Sequence, residues 1–308
     1  MLGMHRCGTS AITRLISMLG AELPKRVIGA GPGNQIGHWE PSRFVEYNDQ
    51  LLSELHSSWH DWDRLDLKKL SSARREQIST DIKDIIAEDF GTARIFVLKD
   101  PRISRFASFF LQSLRNSGIN VSVLITFRNP LDVIDSLMAR REFWPTNLDR
   151  TDAALLWLSH LLPAELAARD LPHALLSYER VLDNPADSIQ NAVSLIDIDL
   201  PISVSQTKSD LNSFIDNAHR HHKHRPDEVL LDPQLAGWVT DCYSALLDLE
   251  AQRNVVHAHE TLDLIRSQFY AALPLLKEVA VARRKATKDT QTALGQLEEA
   301  QRQCQELS

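Results

Sequence analysis

Residue types able to do chemistry are concentrated at three places in this sequence. The first is Gly3-Met4-His5-Arg6-Cys7-Gly8-Thr9-Ser10. Gly8, Thr9 and Ser10 stand directly before a run in which Ile12, Leu15, Ile16 and Leu19 recur at helical spacing, so a tight turn there would deliver backbone N–H groups into a helix start. Those amides, the positive end of the helix dipole, the Thr9 and Ser10 hydroxyls and the Arg6 cation, with Cys7 as the spacer, make a cradle for a phosphate or sulfate group. The second place is Lys99-Asp100-Pro101-Arg102, where an apolar run beginning at Arg94 breaks into charge. The third is Arg128-Asn129-Pro130 with Ser136 farther along. An arginine fork and a hydroxyl recognise a dianionic phosphate well.

The elements that must hold these groups are legible as short apolar runs and helical periods. Residues 94–99 read as a parallel strand buried on both faces, whose charged carboxyl end would sit at a ligand crevice. Residues 120–127 and 174–179 read as two more buried strands. Pro130 opens a helix at a position where it needs no N–H partner, and Ser136 lies about two turns along it. Helical patterns cover 50–90, 153–168 (an amphipathic core helix around Trp157) and 234–275. Only Met1 and Leu2 precede Gly3, where such a loop normally hangs from a strand of about five residues: either the true start lies upstream, or the strand carrying the first loop is short and weak. Residues 21–39, rich in glycine with Pro24 and Pro32, read as a mobile loop ending in Gly37-His38-Trp39-Glu40.

The first loop nearly fits a Walker A pattern, with Gly3, Gly8 and Ser10 in place, but Thr9 fills the lysine position. With its cation two residues before Gly8, the loop resembles the 5′-phosphosulfate loop of the sulfotransferases that use 3′-phosphoadenosine 5′-phosphosulfate (PAPS). Arg128-Asn129-Pro130 and Ser136 are similar to the family's grip on the 3′-phosphate, and Gly37-His38-Trp39-Glu40 resembles a segment of bacterial members, with His38 at a position that is usually aromatic. The resemblance implies a P-loop-like α/β fold in which Arg6, Cys7, Gly8, Thr9 and Ser10 hold the phosphosulfate, while Arg128 and Ser136 hold the 3′-phosphate. Tyr178, in Tyr178-Glu179, would contact adenine or ribose. Lys99 would neutralise developing charge, Glu40 or Asp100 would act as base, and His38 and Arg102 would meet the acceptor. The cationic run from His219 to Arg225 resembles a late basic loop that closes over the 3′-phosphate, with Arg220 and Arg225 as its contacts. Its crowded histidines lack the separated spacing of a metal site. Each group also has a plain structural reading: Trp39 as a core anchor, Glu40 as a helix-start carboxylate, Arg128 as a cap and Tyr178 as a core tyrosine.

The chain has 308 residues, 43% hydrophobic and 24% charged, as in an ordinary globular protein large enough for one sizeable α/β domain with an appendage. A net charge of −7 argues against a general nucleic-acid binder, no apolar run suggests a membrane span, and three dispersed cysteines do not make a disulfide framework. The expectation is therefore a cytoplasmic enzyme. It would have an α/β, P-loop-like three-layer sandwich with a central parallel sheet over residues 1–225, helical completion over 226–275 and a polar helical tail over 276–308. Leu294, Leu297, Cys304 and Leu307 in that tail form a short heptad-like pattern through which it could self-associate. The expected activity is sulfuryl transfer from PAPS to a hydroxyl or amine, a saccharide among the candidate acceptors, leaving PAP as product. The alternatives are a P-loop kinase or triphosphatase and a non-catalytic anion-binding scaffold.

Overall fold

A computed structural model describes residues 1–29, 31, 37–140, 148–215 and 224–306. Most of the chain is helical, around a small sheet of three parallel strands in the order β1 (Leu2–Gly3), β2 (Val123–Phe127), β3 (His173–Ser177). The helices are α1 (Thr9–Met18), α2 (Ser42–Glu54), α3 (Ser72–Phe90), α4 (Ala107–Asn116), α5 (Pro130–Met138) and α6 (Arg150–Ala168). After β3 come α7 (Tyr178–Asp183), α8 (Pro185–Ile196), α9 (Val204–Phe214), α10 (Pro226–Leu231), α11 (Gly237–Glu250) and α12 (Val255–Glu306). Among the described residues no helix is long and apolar enough to cross a membrane.

Alternating side chains on the strands divide the apolar interior in two. Val123, Ile125, Phe127 and Leu175 join a core with residues of α3, α4, α6, α11 and α12, while Leu124, Ala174 and Leu176 join another with residues of α1, α8 and α9. The expected face of α1 is the one it buries: Ile12, Leu15 and Leu19 are wholly inaccessible. Each such side chain contributes about 1.5–3 kcal/mol of burial, so this face anchors the helix behind the loop.

The parallel register decides what meets at the sheet's carboxyl edge. Leu2 pairs with Ile125 and Gly3 with Thr126, while Phe127 pairs with Ser177. The three strands therefore end level with one another, and the residues that leave them are the Met4–Gly8 loop, Arg128 and Tyr178. Gly3 has to be glycine here, because its φ is +140° and a Cβ would sit 2.4 Å from the Thr126 carbonyl oxygen.

Several elements differ from expectation. The run 94–99 is extended but forms no ladder: Phe96 makes a single bridge to Glu22, and the Met1 nitrogen donates to the Leu98 carbonyl at 2.8 Å. Its neighbour β1 is only two residues long, so there is no edge along which a ladder could run. The helical stretch 50–90 is really two helices, α2 and α3, separated by an irregular segment that carries Trp59 and Trp62. α6 is not amphipathic but buried nearly all round, with Trp157 wholly inaccessible. The pattern at 234–275 breaks between Glu250 and Val255, and α12 then runs on through residue 276 without interruption. Leu294 and Leu297 of the heptad-like pattern are exposed.

Candidate functional site

At the turn between β1 and α1, Arg6 and Gly8 both take left-handed backbone conformations, with φ of 71° and 78°. Gly8 starts α1 without any side-chain cap, so the helix opens on its own amides. Cys7 is wholly buried and its thiol is pushed up to about 12 by that burial, with Arg128 pulling the other way. It therefore contributes backbone rather than sulfur chemistry. Thr9 is buried behind the turn.

Arg6 reaches across to the third sequence motif. Its Nε donates to Ser136 Oγ at 2.9 Å, a contact between residues 130 positions apart. Arg128 extends from the end of β2 toward the same loop, with Nη1 3.4 Å from the Arg6 carbonyl oxygen. Its guanidinium also pairs with Asp132 at 3.2 Å and stacks over the Tyr178 ring, 5.4 Å from the centroid. The Tyr178 ring in turn lies against Gly8. Pro130 occupies the first turn of α5 and Asn129 Oδ1 accepts from the Leu131 amide, which fixes the helix carrying Ser136. Burial, followed by Arg140 and Arg128, draws the Arg6 guanidinium down to about 10, still protonated at neutral pH. Three cationic or hydroxyl groups therefore face one another on one side of the loop.

On its other side, Ser10 Oγ donates to the His38 carbonyl oxygen at 3.1 Å and accepts from Lys99 Nζ at 3.1 Å. Lys99 is 1% exposed and bonds Glu40 Oε1 at 2.7 Å. Burial lowers the Lys99 pKa, and Glu40 opposes the shift. Burial likewise lowers that of His38. Arg102 is held by Asp49 at 2.6 Å and Asp100 at 2.9 Å, and lies 3.6 Å from Glu40 Oε2.

The two candidate carboxylates differ. Asp100 Oδ1 accepts from the Arg102 backbone and side chain, and Oδ2 accepts from Asn48, so both oxygens are committed. Glu40 commits Oε1 to Lys99, whereas among the described residues its Oε2 has only the longer approach of Arg102. Arg102 is likewise held by carboxylates through Nε and Nη1 and acts as a brace.

Arg225 stands apart. Its side chain is 74% exposed and pairs with Asp227 and Glu228, while only its backbone carbonyl and that of His224 meet Asn129. Arg220 lies outside the described residues, as do the rest of 216–223, Gly33 and Leu307. Sequence reasoning missed Asp132, whose position four residues after Arg128 on a helix start is the signal that could have revealed the pairing. It also missed His5 and His160, whose rings stand 6.1 Å apart. Among the described residues no cluster of His, Cys, Asp and Glu could hold a metal ion.

No protein-family model, curated protein or solved structure matches this chain.

Proposed function

We propose that this chain is a PAPS-dependent sulfotransferase on a P-loop-like three-layer scaffold, transferring a sulfuryl group to a hydroxyl or amine acceptor. One observation carries the reading: the Arg6–Ser136 hydrogen bond joins two anion-type motifs that are 130 residues apart in sequence. Arg6, Thr9, Ser10 and the amides opening α1 would hold the 5′-phosphosulfate. Arg128 and Ser136 would hold the 3′-phosphate, exchanging part of the Arg128–Asp132 pairing for it, and the Tyr178 ring would meet ribose or adenine. Apolar cores on both faces of the sheet support the sandwich.

Bound PAPS would supply the sulfuryl group: the acceptor atom bonds to sulfur, the bond from sulfur to the 5′-phosphate oxygen breaks, PAP departs with that electron pair, and the acceptor loses a proton. This chain's residues hold the groups in line and manage charge. Glu40 takes the acceptor proton through Oε2, because Asp100 has no oxygen to spare. Lys99 neutralises charge on the departing oxygen, and its buried ammonium releases a proton more readily than a solvated one. Arg6 works by charge and fork geometry alone.

The test is isothermal titration with PAP and with ATP plus Mg²⁺ in parallel, followed by transfer of labelled sulfate to an acceptor panel. PAP is expected to bind in preference to ATP. Arg6→Ala should weaken it by roughly 10- to 100-fold, the loss of a charged hydrogen bond, and Arg6→Lys should retain most of the binding. Indifference to millimolar PAP overturns the proposal, Mg²⁺-dependent ATP turnover favours a kinase or triphosphatase, and PAP binding without transfer to any acceptor favours a scaffold.

A further inference from the structure

A group of imidazoles next to the loop takes no part in the chemistry above. His160, on α6, is wholly buried, and its Nδ1 lies 2.9 Å from the Leu156 carbonyl oxygen. A carbonyl can only accept, so Nδ1 carries the proton and Nε2 presents a bare lone pair. That Nε2 is buried and has no hydrogen-bond partner among the described residues. His5, the residue before Arg6, presents its ring edgewise to His160, and its Nε2 is buried and unpartnered as well. The Trp59 ring lies 4.7 Å from His5, and His60, edge-on to Trp59, leaves Nδ1 in the same condition. An unmet buried polar atom is destabilising, and three of them share one cluster between the loop, the segment after α2 and α6. Half-burial of His5, Trp59 and His60 keeps the cluster in touch with solvent.

The charges facing the cluster narrow what could complete it. Arg102 and Arg105 flank the imidazoles from the turn Pro101–Phe106, and Lys99 and Arg6 also act on His5. Burial first, and these cations next, hold both His5 and His160 well below the ordinary histidine value, His160 at about 3. The cations are already engaged: Arg105 donates to the Ser58 and Asp63 carbonyl oxygens, and Arg102 to Asp49 and Asp100. An ammonium group would meet repulsion, and a carboxylate or phosphate would find engaged donors. An O–H group would find the His160 Nε2 lone pair waiting.

We propose that His5, Trp59, His60 and His160 form the acceptor subsite, and that it takes an uncharged, hydroxyl-rich compound that donates one O–H to His160 Nε2. This rests on the sulfuryl-transfer reading and deepens it, choosing a neutral polyol over the amine that reading leaves open. A second hydroxyl of the same molecule would reach toward Glu40.

The test uses wild-type protein saturated with PAP, titrated with methyl glucoside, methyl galactoside and myo-inositol as neutral polyols and with glucosamine and glucuronate as charged counterparts. At least one neutral polyol should bind about tenfold more tightly than either charged sugar and should shift the ¹⁵N resonance of His160 Nε2. His160→Phe should abolish that preference and leave PAP affinity unchanged; the wild-type charge series and resonance stand even if the variant does not fold. Preference for glucosamine or glucuronate, no polyol binding, or binding that leaves the His160 resonance unmoved overturns the subsite. Tight PAP binding alongside any of these keeps the transferase reading, whereas absent PAP binding overturns that reading by itself.

Discussion

Lys99 Nζ and Glu40 Oε1 lie 2.7 Å apart with both side chains nearly sealed from solvent. A buried pair of this kind holds together because each charge answers the other; removing one leaves the survivor in a low-dielectric setting. Lys99 would then face Arg102 with less compensation.

Glu40→Gln and Lys99→Met are each expected to cost about 3–5 kcal/mol of stability. The double substitution Glu40→Gln with Lys99→Met should cost clearly less than the two singles added together, since no uncompensated charge remains. Urea denaturation of all four proteins closes the cycle. Additive losses would mean that the pair is not coupled.

Gly8 is constrained twice, by its φ of +78° and by the Tyr178 ring, whose Cδ2 would lie 2.1 Å from an added Cβ. Gly8→Ala is expected to lose about 1–3 kcal/mol from backbone strain alone, and to lose PAP binding as the ring is displaced. Adding Tyr178→Ala removes the clash but not the strain, so the double variant should recover only part of the stability. Full recovery would show that the left-handed conformation costs nothing. Thermal melts and PAP titration read both effects.

The parts of this molecule that could be read from sequence are those set by local physics. The spacing of Ile12, Leu15, Ile16 and Leu19 marks the buried face of α1, and Pro130 marks the start of α5, because a helix period and a missing N–H act within a few residues. What escaped depended on partners distant in the chain. The run 94–99 has strand composition, yet a ladder needs a neighbour of matching length, and β1 supplies two residues. α6 was legible as a helix, but its reading as amphipathic failed because it is buried on nearly every side. His160 did leave a trace, as a lone imidazole within Leu155–Leu162, but its meeting with His5 is a product of tertiary packing. The convergence of Arg6 with Ser136 was expected from the resemblance of two motifs and not from either motif's own spacing.

Two histidines should give stability opposite dependences on pH. Burial holds His160 at about 3, with Arg105 adding to the effect, so below pH 6.5 the unfolded chain takes up a proton that the folded one refuses. Its contribution is whole above about 6.5 and is lost as pH falls toward 3, on the order of 4 kcal/mol in all. His224 behaves the other way. Partial burial pulls it down, but hydrogen bonds at 2.7 Å to Asp135 and 2.8 Å to Glu228 prevail and raise it. Its contribution is whole below 6.5 and is lost as pH rises through the raised value, with solvent screening reducing its size. Urea denaturation from pH 4 to 9 on the wild type, His160→Gln and His224→Gln separates the two. His160→Gln should flatten the acid limb relative to wild type, and His224→Gln should flatten the limb above neutrality, releasing the backbone that leans on Asn129 and Asp132. If His160→Gln leaves the acid limb as steep as before, His160 does not stay neutral in the folded chain, and the lone pair offered to an acceptor hydroxyl is lost with it.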